Sequence, residues 1–216
     1  GHYPFENRER FERGFPADFI AEGLDQTRGW FYTLLIISTS LFRKPAFRNV
    51  VVNGLVLAED GRKMSKRLKN YPDPNVILGT HGADALRLYM INSPVVRAED
   101  LCFSEQGVIH ELRHLLLPLW NAYSFLVTYA RIDGWTPDKS ANLPPSPHVL
   151  DQWILSAMER LNEQVVKAMD AYDLQSAIKP FVHFIEDLTN WYIRRSRRRF
   201  WKSSNDSDKL LAYRTL

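Results

Sequence analysis

The chain has 216 residues, enough for one large domain or two small ones. Its hydrophobic fraction of 45% is ordinary for a folded protein, and a formal net charge of +3 is too mild to establish nucleic-acid binding. The single cysteine, Cys102, excludes an internal disulfide, and no apolar run reaches membrane-spanning length or forms a signal peptide, so a soluble cytoplasmic protein with no membrane partner is expected.

Residues 1–14 are polar and aromatic without a period and read as an irregular leading segment. Residues 18–21 predict a short strand that ends near Glu22. Asp25 can cap a following helix, predicted over residues 26–42, because its carboxylate accepts orphan backbone N–H groups. Phe31, Leu34, Leu35, Ile36, Ile37, Leu41 and Phe42 make that helix apolar on most sides, which predicts burial on several faces. Residues 50–56 are a β-branched run that reads as a second buried strand. Strand, helix and strand make a βαβ unit with a parallel sheet. Ligands bind such sheets at the carboxyl ends of the strands. Those ends carry residues 22–26 and 53–66, so the two stretches are expected on one edge.

Residues 58–70 follow the second strand, and their core is Lys63-Met64-Ser65-Lys66-Arg67. Two ammonium groups three residues apart, on a loop that Gly61 lets bend, suit a polyphosphate whose charge grows during reaction. Taken alone, the pentapeptide reads better as a solvated basic loop or a localisation signal. Gly23 allows close approach of the backbone to a ligand at a helix start, where an anionic group is favoured. Glu22 and Asp25 repel phosphate but suit ribose hydroxyls; the alternative is that Asp25 is an N-cap and Glu22 a surface carboxylate. Trp30, in an apolar helix, reads first as core.

Tyr71-Pro72-Asp73-Pro74 is a turn into a helix, with Asp73 at the N-cap and Pro74 at the first helical position, ending at Gly79. Residues 83–92 predict the next helix, stopped by Pro94, with Asp84 and Arg87 spaced to pair. From Ser104 the pattern is helical. A long helix carries Val108, Leu112, Leu115, Leu119, Tyr123 and Leu126 and is expected to kink at Pro118. Residues 133–147 read as a loop. A second helix places Leu150, Trp153, Ile154, Ala157, Met158, Leu161, Val165, Ala168 and Tyr172 inward. A third carries Leu174, Ala177, Ile178, Phe181, Phe184, Leu188, Trp191 and Tyr192. Helices so joined predict an antiparallel bundle, giving a chain that is α/β and then all-α. The third helix ends in Arg194, Arg195, Arg197, Arg198 and Arg199, five arginines in six residues, followed by Trp201. That exceeds any capping need, and arginines interleaved with Tyr192 and Trp201 suit an RNA backbone with stacked bases. A last helix begins at Leu210. No Cys/His spacing predicts a protein-bound metal, and His81 and His183 read as structural.

In order, these stretches resemble the class I aminoacyl-tRNA synthetases. Residues 63–67 are similar to the Lys-Met-Ser-Lys-Ser signature. Residues 16–31, Pro-Ala-Asp-Phe-Ile-Ala-Glu-Gly-Leu-Asp-Gln-Thr-Arg-Gly-Trp-Phe, resemble the adenylate-binding segment of the isoleucine-specific family. Gly82-Ala83-Asp84-Ala85-Leu86-Arg87 and Thr189-Asn190-Trp191-Tyr192-Ile193-Arg194 resemble it too. Four ordered motifs cover nearly the whole chain, and the Glu-Gly-x-Asp-Gln-x-Arg-Gly-Trp-Phe string favours the isoleucine family over its valine and leucine relatives. Arg67 stands where many members have serine, as in eukaryotic cytosolic-type enzymes, so no role that needs that hydroxyl carries over.

The resemblance implies ATP-dependent ligation of isoleucine to tRNA(Ile) through an adenylate, with Mg²⁺ arriving on ATP. It implies Lys63 and Lys66 on the leaving pyrophosphate, and Glu22, Gly23, Asp25, Gln26, Asn53, Gly54, Met64 and Ser65, again with Lys66, around the adenylate. It implies Trp30 at the isoleucine pocket, and the five arginines with Trp201 on tRNA. Residues 1–103 would be the C-terminal half of a Rossmann-like catalytic domain with a stem-contact region, and residues 104–216 the start of an anticodon-binding domain. The family's His-Ile-Gly-His-type motif and editing insertion do not occur in these residues, so the chain is expected to be an inactive fragment whose apolar helix keeps an exposed face. A valine-specific enzyme and a non-catalytic tRNA-binding module are the alternatives.

Overall fold

A computed structural model describes residues 4–65, 67–137, 145–201 and 206–216. Lys66 and residues 138–144 of the loop predicted over 133–147 lie outside the described residues. The chain divides into two compact units, one of Gly1–Asp73 with Met90–Ser104, the other of Pro74–Tyr89 with Glu105–Leu216.

The first unit opens on α1 (Arg8–Gly14), where the sequence predicts irregular chain. Seven residues are too few to hold a helix by propensity. Phe11 stacks on Phe15 with ring centroids 4.7 Å apart, and Phe42 lies 5.2 and 5.0 Å from the two, so an aromatic trio anchors the segment.

β1 (Ala17–Gly23) pairs in parallel with β2 (Phe47–Asn53), from Ala17 opposite Phe47 to Gly23 opposite Asn53. Between them lie a 3-10 turn (Leu24–Arg28) and α2 (Trp30–Phe42). The helix therefore starts later than predicted, and Asp25 does not cap it. The side chain of Gln26 does that work: its Oε1 accepts the N–H of Trp30 at 2.8 Å. Phe31 and Ser38 are the buried residues of α2, which corrects the expectation of burial on several faces. Trp30, Ile37 and Leu41 stand exposed on one side of the helix and Tyr32, Leu35 and Ile36 on the other.

The run 50–56 is not one strand. β2 stops at Asn53, and β3 (Val56–Leu57) pairs in parallel with β4 (Leu101–Cys102) in a second sheet. Gly54 makes the handover. Its N–H donates to the Val95 carbonyl at 2.7 Å, and a Cβ at this position would sit 1.9 Å from the Glu99 carbonyl oxygen, so only glycine fits.

In the second unit α3 (Pro74–His81) runs through Gly79 and ends instead at Gly82, whose φ of +86° takes the left-handed position that glycine adopts without strain. α4 (Ala83–Ile91) follows, and Asp84 pairs with Arg87 at 3.1 Å, as the spacing predicts. His81 meets Glu105 at 2.9 Å.

α5 (Glu105–Glu111) passes through a π-helical turn (Leu112–Leu116) into α6 (Leu117–Ile132). Pro118, in the first turn of α6, cannot donate back into the preceding turn, and the chain takes the wider π-helical turn just before it. α7 (Val149–Asp170) and α8 (Leu174–Glu186) follow. A second π-helical segment (Asp187–Ile193) leads to α9 (Arg194–Trp201), so the third predicted helix is two helices with a π insert. α10 spans Asp206–Thr215, starting before the predicted Leu210. Leu115, Ala122, Ile154, Ala157, Leu161, Phe184, Ile185, Tyr192 and Ile193 form the core. Met158, predicted inward, is exposed, as is Trp191 of the third predicted helix, while Asp151 is buried completely.

Candidate active site and basic helix

The parallel register of β1 and β2 sets Glu22 beside Val52 and Gly23 beside Asn53, at the carboxyl ends of both strands. Glu22, Gly23, Asn53 and Gly54 thus share one sheet edge. The 3-10 turn keeps Asp25 and Gln26 at it, with Gln26 Nε2 donating to Asp25 Oδ2 at 3.2 Å. Gly23 leaves room for the Asp25 carboxylate, which would lie 2.7 Å from a Cβ there. Trp30 opens α2 just after this turn and is 49% exposed, so it is not core. Gly54 donates its N–H to Val95, so that group is committed within the fold.

Beyond β3 the chain doubles back. Leu57 bridges to Lys63, and the Ala58 N–H donates to the Arg62 carbonyl at 2.9 Å. Gly61, with φ of +79°, makes the turn. Asp60 clamps it: its carboxylate accepts from the Arg62 N–H at 3.0 Å and from Arg62 Nε at 2.7 Å. The Arg62 side chain holds the Asp60 carboxyl below the usual carboxylate range, chiefly through that side-chain hydrogen bond. Lys63 is exposed, and its ammonium has no partner among the described residues; Met64 and Ser65 are half-buried.

Asn70, which sequence reasoning passed over, closes the loop. Its Oδ1 accepts the Ser65 N–H at 2.9 Å, and its Nδ2 donates to the Lys63 carbonyl at 3.1 Å. The N–H groups of Leu68 and Lys69 both donate to the Ser65 carbonyl, and Lys69, at φ of +47°, turns the chain back. The only signal for it was an asparagine a few residues beyond a lysine turn, a residue type that bonds local backbone readily. Asp60-Gly61 was the clearer signal of a tight turn.

In the helical unit α9 presents Arg194, Arg195, Arg197 and Arg198 to solvent. The guanidinium of Arg195 lies 4.7 Å from the centroid of the Trp191 ring and that of Arg197 5.7 Å from that of Trp201, both within cation–π range. Trp201 is 48% exposed. Arg199 is different and leaves the candidate RNA set. It is buried, with its two terminal nitrogens on Asp151 Oδ1 at 2.6 Å and Oδ2 at 2.9 Å, and its Nε on Asp208. Ser146 Oγ donates to Asp151 at 2.6 Å and Tyr192 Oη at 2.9 Å, so the carboxylate is fully satisfied. Burial pushes the Asp151 carboxyl up, but the bonds from Arg199, Ser146 and Tyr192 outweigh it and hold it below the ordinary value. Burial also pushes the Tyr192 hydroxyl up, and the Asp151 charge adds to that.

Among the described residues no cluster of three or more His, Cys, Asp or Glu is placed to hold a metal ion, and no helix is long and apolar enough to cross a membrane.

Residues 1–102 match the family model described as tRNA synthetases class I (I, L, M and V), and residues 151–216 match that of the anticodon-binding domain of tRNA ligase. Over its whole length the chain is 60% identical to an isoleucine–tRNA ligase of Protochlamydia amoebophila, 58% to one of Treponema denticola and 59% to one of Chlamydia muridarum. It spans about a fifth of these relatives, 20%, 20% and 21% of their lengths. In fold it is similar to Mycobacterium tuberculosis methionyl-tRNA synthetase in complex with methionyl-adenylate, at 22% identity and a TM-score of 0.74, covering 99% of this chain and 41% of that one. A LeuRS–tRNA–LeuAMS ternary complex from Agrobacterium radiobacter K84 is similar at 19% identity and a TM-score of 0.66, covering 93% of this chain and 25% of that one.

Proposed function

We propose that this chain is part of a class I tRNA synthetase of the isoleucine, leucine, methionine and valine group, and that it serves ATP-dependent ligation of isoleucine to tRNA(Ile) in the full-length protein. One observation carries the reading: 60% identity to an isoleucine–tRNA ligase extends over the whole chain. The isoleucine carboxylate attacks the α-phosphorus of ATP and pyrophosphate leaves. The isoleucyl group then passes from the adenylate to a hydroxyl of the terminal tRNA ribose, and AMP leaves. No covalent enzyme intermediate is needed, so the protein contributes positioning and charge stabilisation.

In this reading Lys63 and Lys66 neutralise the departing pyrophosphate, whose Mg²⁺ arrives with ATP. Glu22 and Asp25 take the adenosine ribose hydroxyls, and Gln26 the aminoacyl-phosphate region. Gly23, Asn53 and Gly54 form the floor along the strand ends, Met64 packs near the adenine with Ser65 beside it, and Trp30 walls the isoleucine pocket. Arg194, Arg195, Arg197, Arg198 and Trp201 meet tRNA. Residues 1–103 act as the second half of a Rossmann-like domain with its stem-contact region, and residues 104–216 as the start of an antiparallel anticodon-binding bundle. The site of action is the cytoplasm. The paired β1 and β2 strands and the free Lys63 ammonium support the first assignment, the four exposed arginines the second.

ATP–pyrophosphate exchange by the full-length protein tests the reading. Isoleucine is expected to drive exchange with kcat/KM roughly 100-fold above that for valine, the discrimination one methylene group allows. Preference for valine would move the chain to the valine enzymes, and tRNA binding without exchange would make it a binding module.

The arginines make a separate expectation. Replacing Arg197 and Arg198 by glutamine should reduce the slope of log affinity for tRNA against log salt by roughly 0.7 to 0.9 for each phosphate no longer neutralised. An unaltered slope would remove α9 from the RNA interface.

A further inference from the structure

We propose that Asn70 is a positioning residue for adenylate formation: its one amide holds the backbone on both sides of Met64, so that Lys63 meets pyrophosphate from a fixed base. The inference rests on the role given to Lys63 above.

Apart from the Leu68 and Lys69 N–H groups on the Ser65 carbonyl, the loop has little else to order it. After the bridge from Leu57 to Lys63 no strand pairing continues among the described residues of the loop, and Lys63, Arg67, Leu68 and Lys69 are all exposed. Asn70 supplies a bond of each polarity. Its carbonyl oxygen accepts the Ser65 N–H at 2.9 Å, and its NH₂ donates to the Lys63 carbonyl at 3.1 Å. Among side chains of this length only an amide makes that pair of bonds at once, because a carboxylate cannot donate and an ammonium cannot accept. The left-handed Lys69, at φ of +47°, returns the chain so that the amide reaches back. Asn70 thus ties residue 70 to residues 63 and 65 through backbone groups alone, and the Lys63 ammonium stays clear for a ligand. A flexible lysine would spend binding energy on its own ordering when charge develops, and a fixed one would not.

The position also separates from the amino-acid side. The isoleucine pocket is assigned above to Trp30, at the start of α2, so loosening this loop should slow the chemical step and leave isoleucine recognition intact.

The test compares Asn70→Ala and Lys63→Ala with the parent in the full-length protein. Asn70→Ala is expected to lower kcat of isoleucine-dependent pyrophosphate exchange roughly 10-fold, as the removal of two hydrogen bonds suggests, with KM for isoleucine within about twofold. Without substrates, trypsin should cut after Lys63 and Arg67 several-fold faster in Asn70→Ala, followed by mass spectrometry, with the melting temperature unchanged. A normal kcat in Asn70→Ala beside a depressed one in Lys63→Ala overturns the positioning role and leaves the functional reading standing. Normal kcat in both variants overturns the two together. Unchanged tryptic cleavage overturns the staple whatever the kinetics.

Discussion

Lys63→Ala in the full-length protein will lower the rate of isoleucine-dependent pyrophosphate exchange by roughly 100- to 1,000-fold, the usual cost of losing one donor aimed at charge that develops in a transition state. The size of the effect follows from what the lysine is not doing in the fold. Its ammonium has no partner among the described residues, while its carbonyl is held by Asn70 and the chain at Lys63 bridges to Leu57. The backbone is committed and the charge is free. A lysine engaged in a surface ion pair would have to break that pair first. The effect should fall mainly on kcat, because pyrophosphate gains charge as it leaves and ground-state ATP gains less from the interaction. Lys66 lies outside the described residues and carries the same expectation. Lys69, on the same loop and exposed, is the control: Lys69→Ala should retain exchange within about twofold. Equal losses in Lys63→Ala and Lys69→Ala would mean that the loop supplies only a diffuse field, and no loss in Lys63→Ala would sink the assignment.

The βαβ frame was legible because its signals are local. A short strand signal at residues 18–21, an apolar helix and a β-branched run give a parallel pair, and that pair fixes which residues share an edge. What was missed depended on partners far along the chain. α1 is held by Phe42, and nothing near residue 11 announces it. The break at Gly54 comes from the Glu99 backbone packing where a Cβ would stand, and the residues before and after it look alike. The two π-helical segments leave no mark in hydrophobic spacing that an α-helix would not leave. Asn70 acts through local backbone, yet its two bonds become visible only once Lys69 has turned left-handed.

The arginine run carries a helical period of its own. Tyr192, Ser196 and Arg199 recur at intervals of four and three residues, the period of one helical stripe, and all three are buried with Ile193 and Phe200. The exposed arginines fall between them. Composition makes the five arginines equivalent, and periodicity separates Arg199 from the other four.

That separation predicts opposite behaviour on mutation. Asp151→Ala should destabilise the protein by about 3–5 kcal/mol, because it strands a buried arginine. Asp151 has 0% exposure and carries both terminal nitrogens of Arg199, the Ser146 hydroxyl and the Tyr192 hydroxyl. Removing the carboxylate leaves Asp208 alone on the guanidinium and leaves two further donors without their acceptor. At a few degrees per kcal/mol for a chain of this size, the melting temperature should fall by roughly 10 °C. Arg197→Ala and Arg198→Ala, on the solvent side of the same helix, should stay within about 0.5 kcal/mol of the parent. The pH dependence follows from the direction of the Asp151 shift. Its carboxyl is held below the unfolded value, so the unfolded chain binds the proton first as acid is added. The stabilisation is therefore complete above the unfolded pKa near 4 and is lost as pH falls through the lower folded value. Asp151→Asn has no such proton to take up, so its stability should fall less steeply than the parent's below about pH 4. Thermal unfolding of the parent, Asp151→Ala and Asp151→Asn between about pH 7 and about pH 3 measures both effects. A loss under about 1 kcal/mol in Asp151→Ala at neutral pH would show that Asp208 alone suffices for Arg199, and parallel acid limbs in parent and Asp151→Asn would show that the buried carboxylate is not what acid titrates.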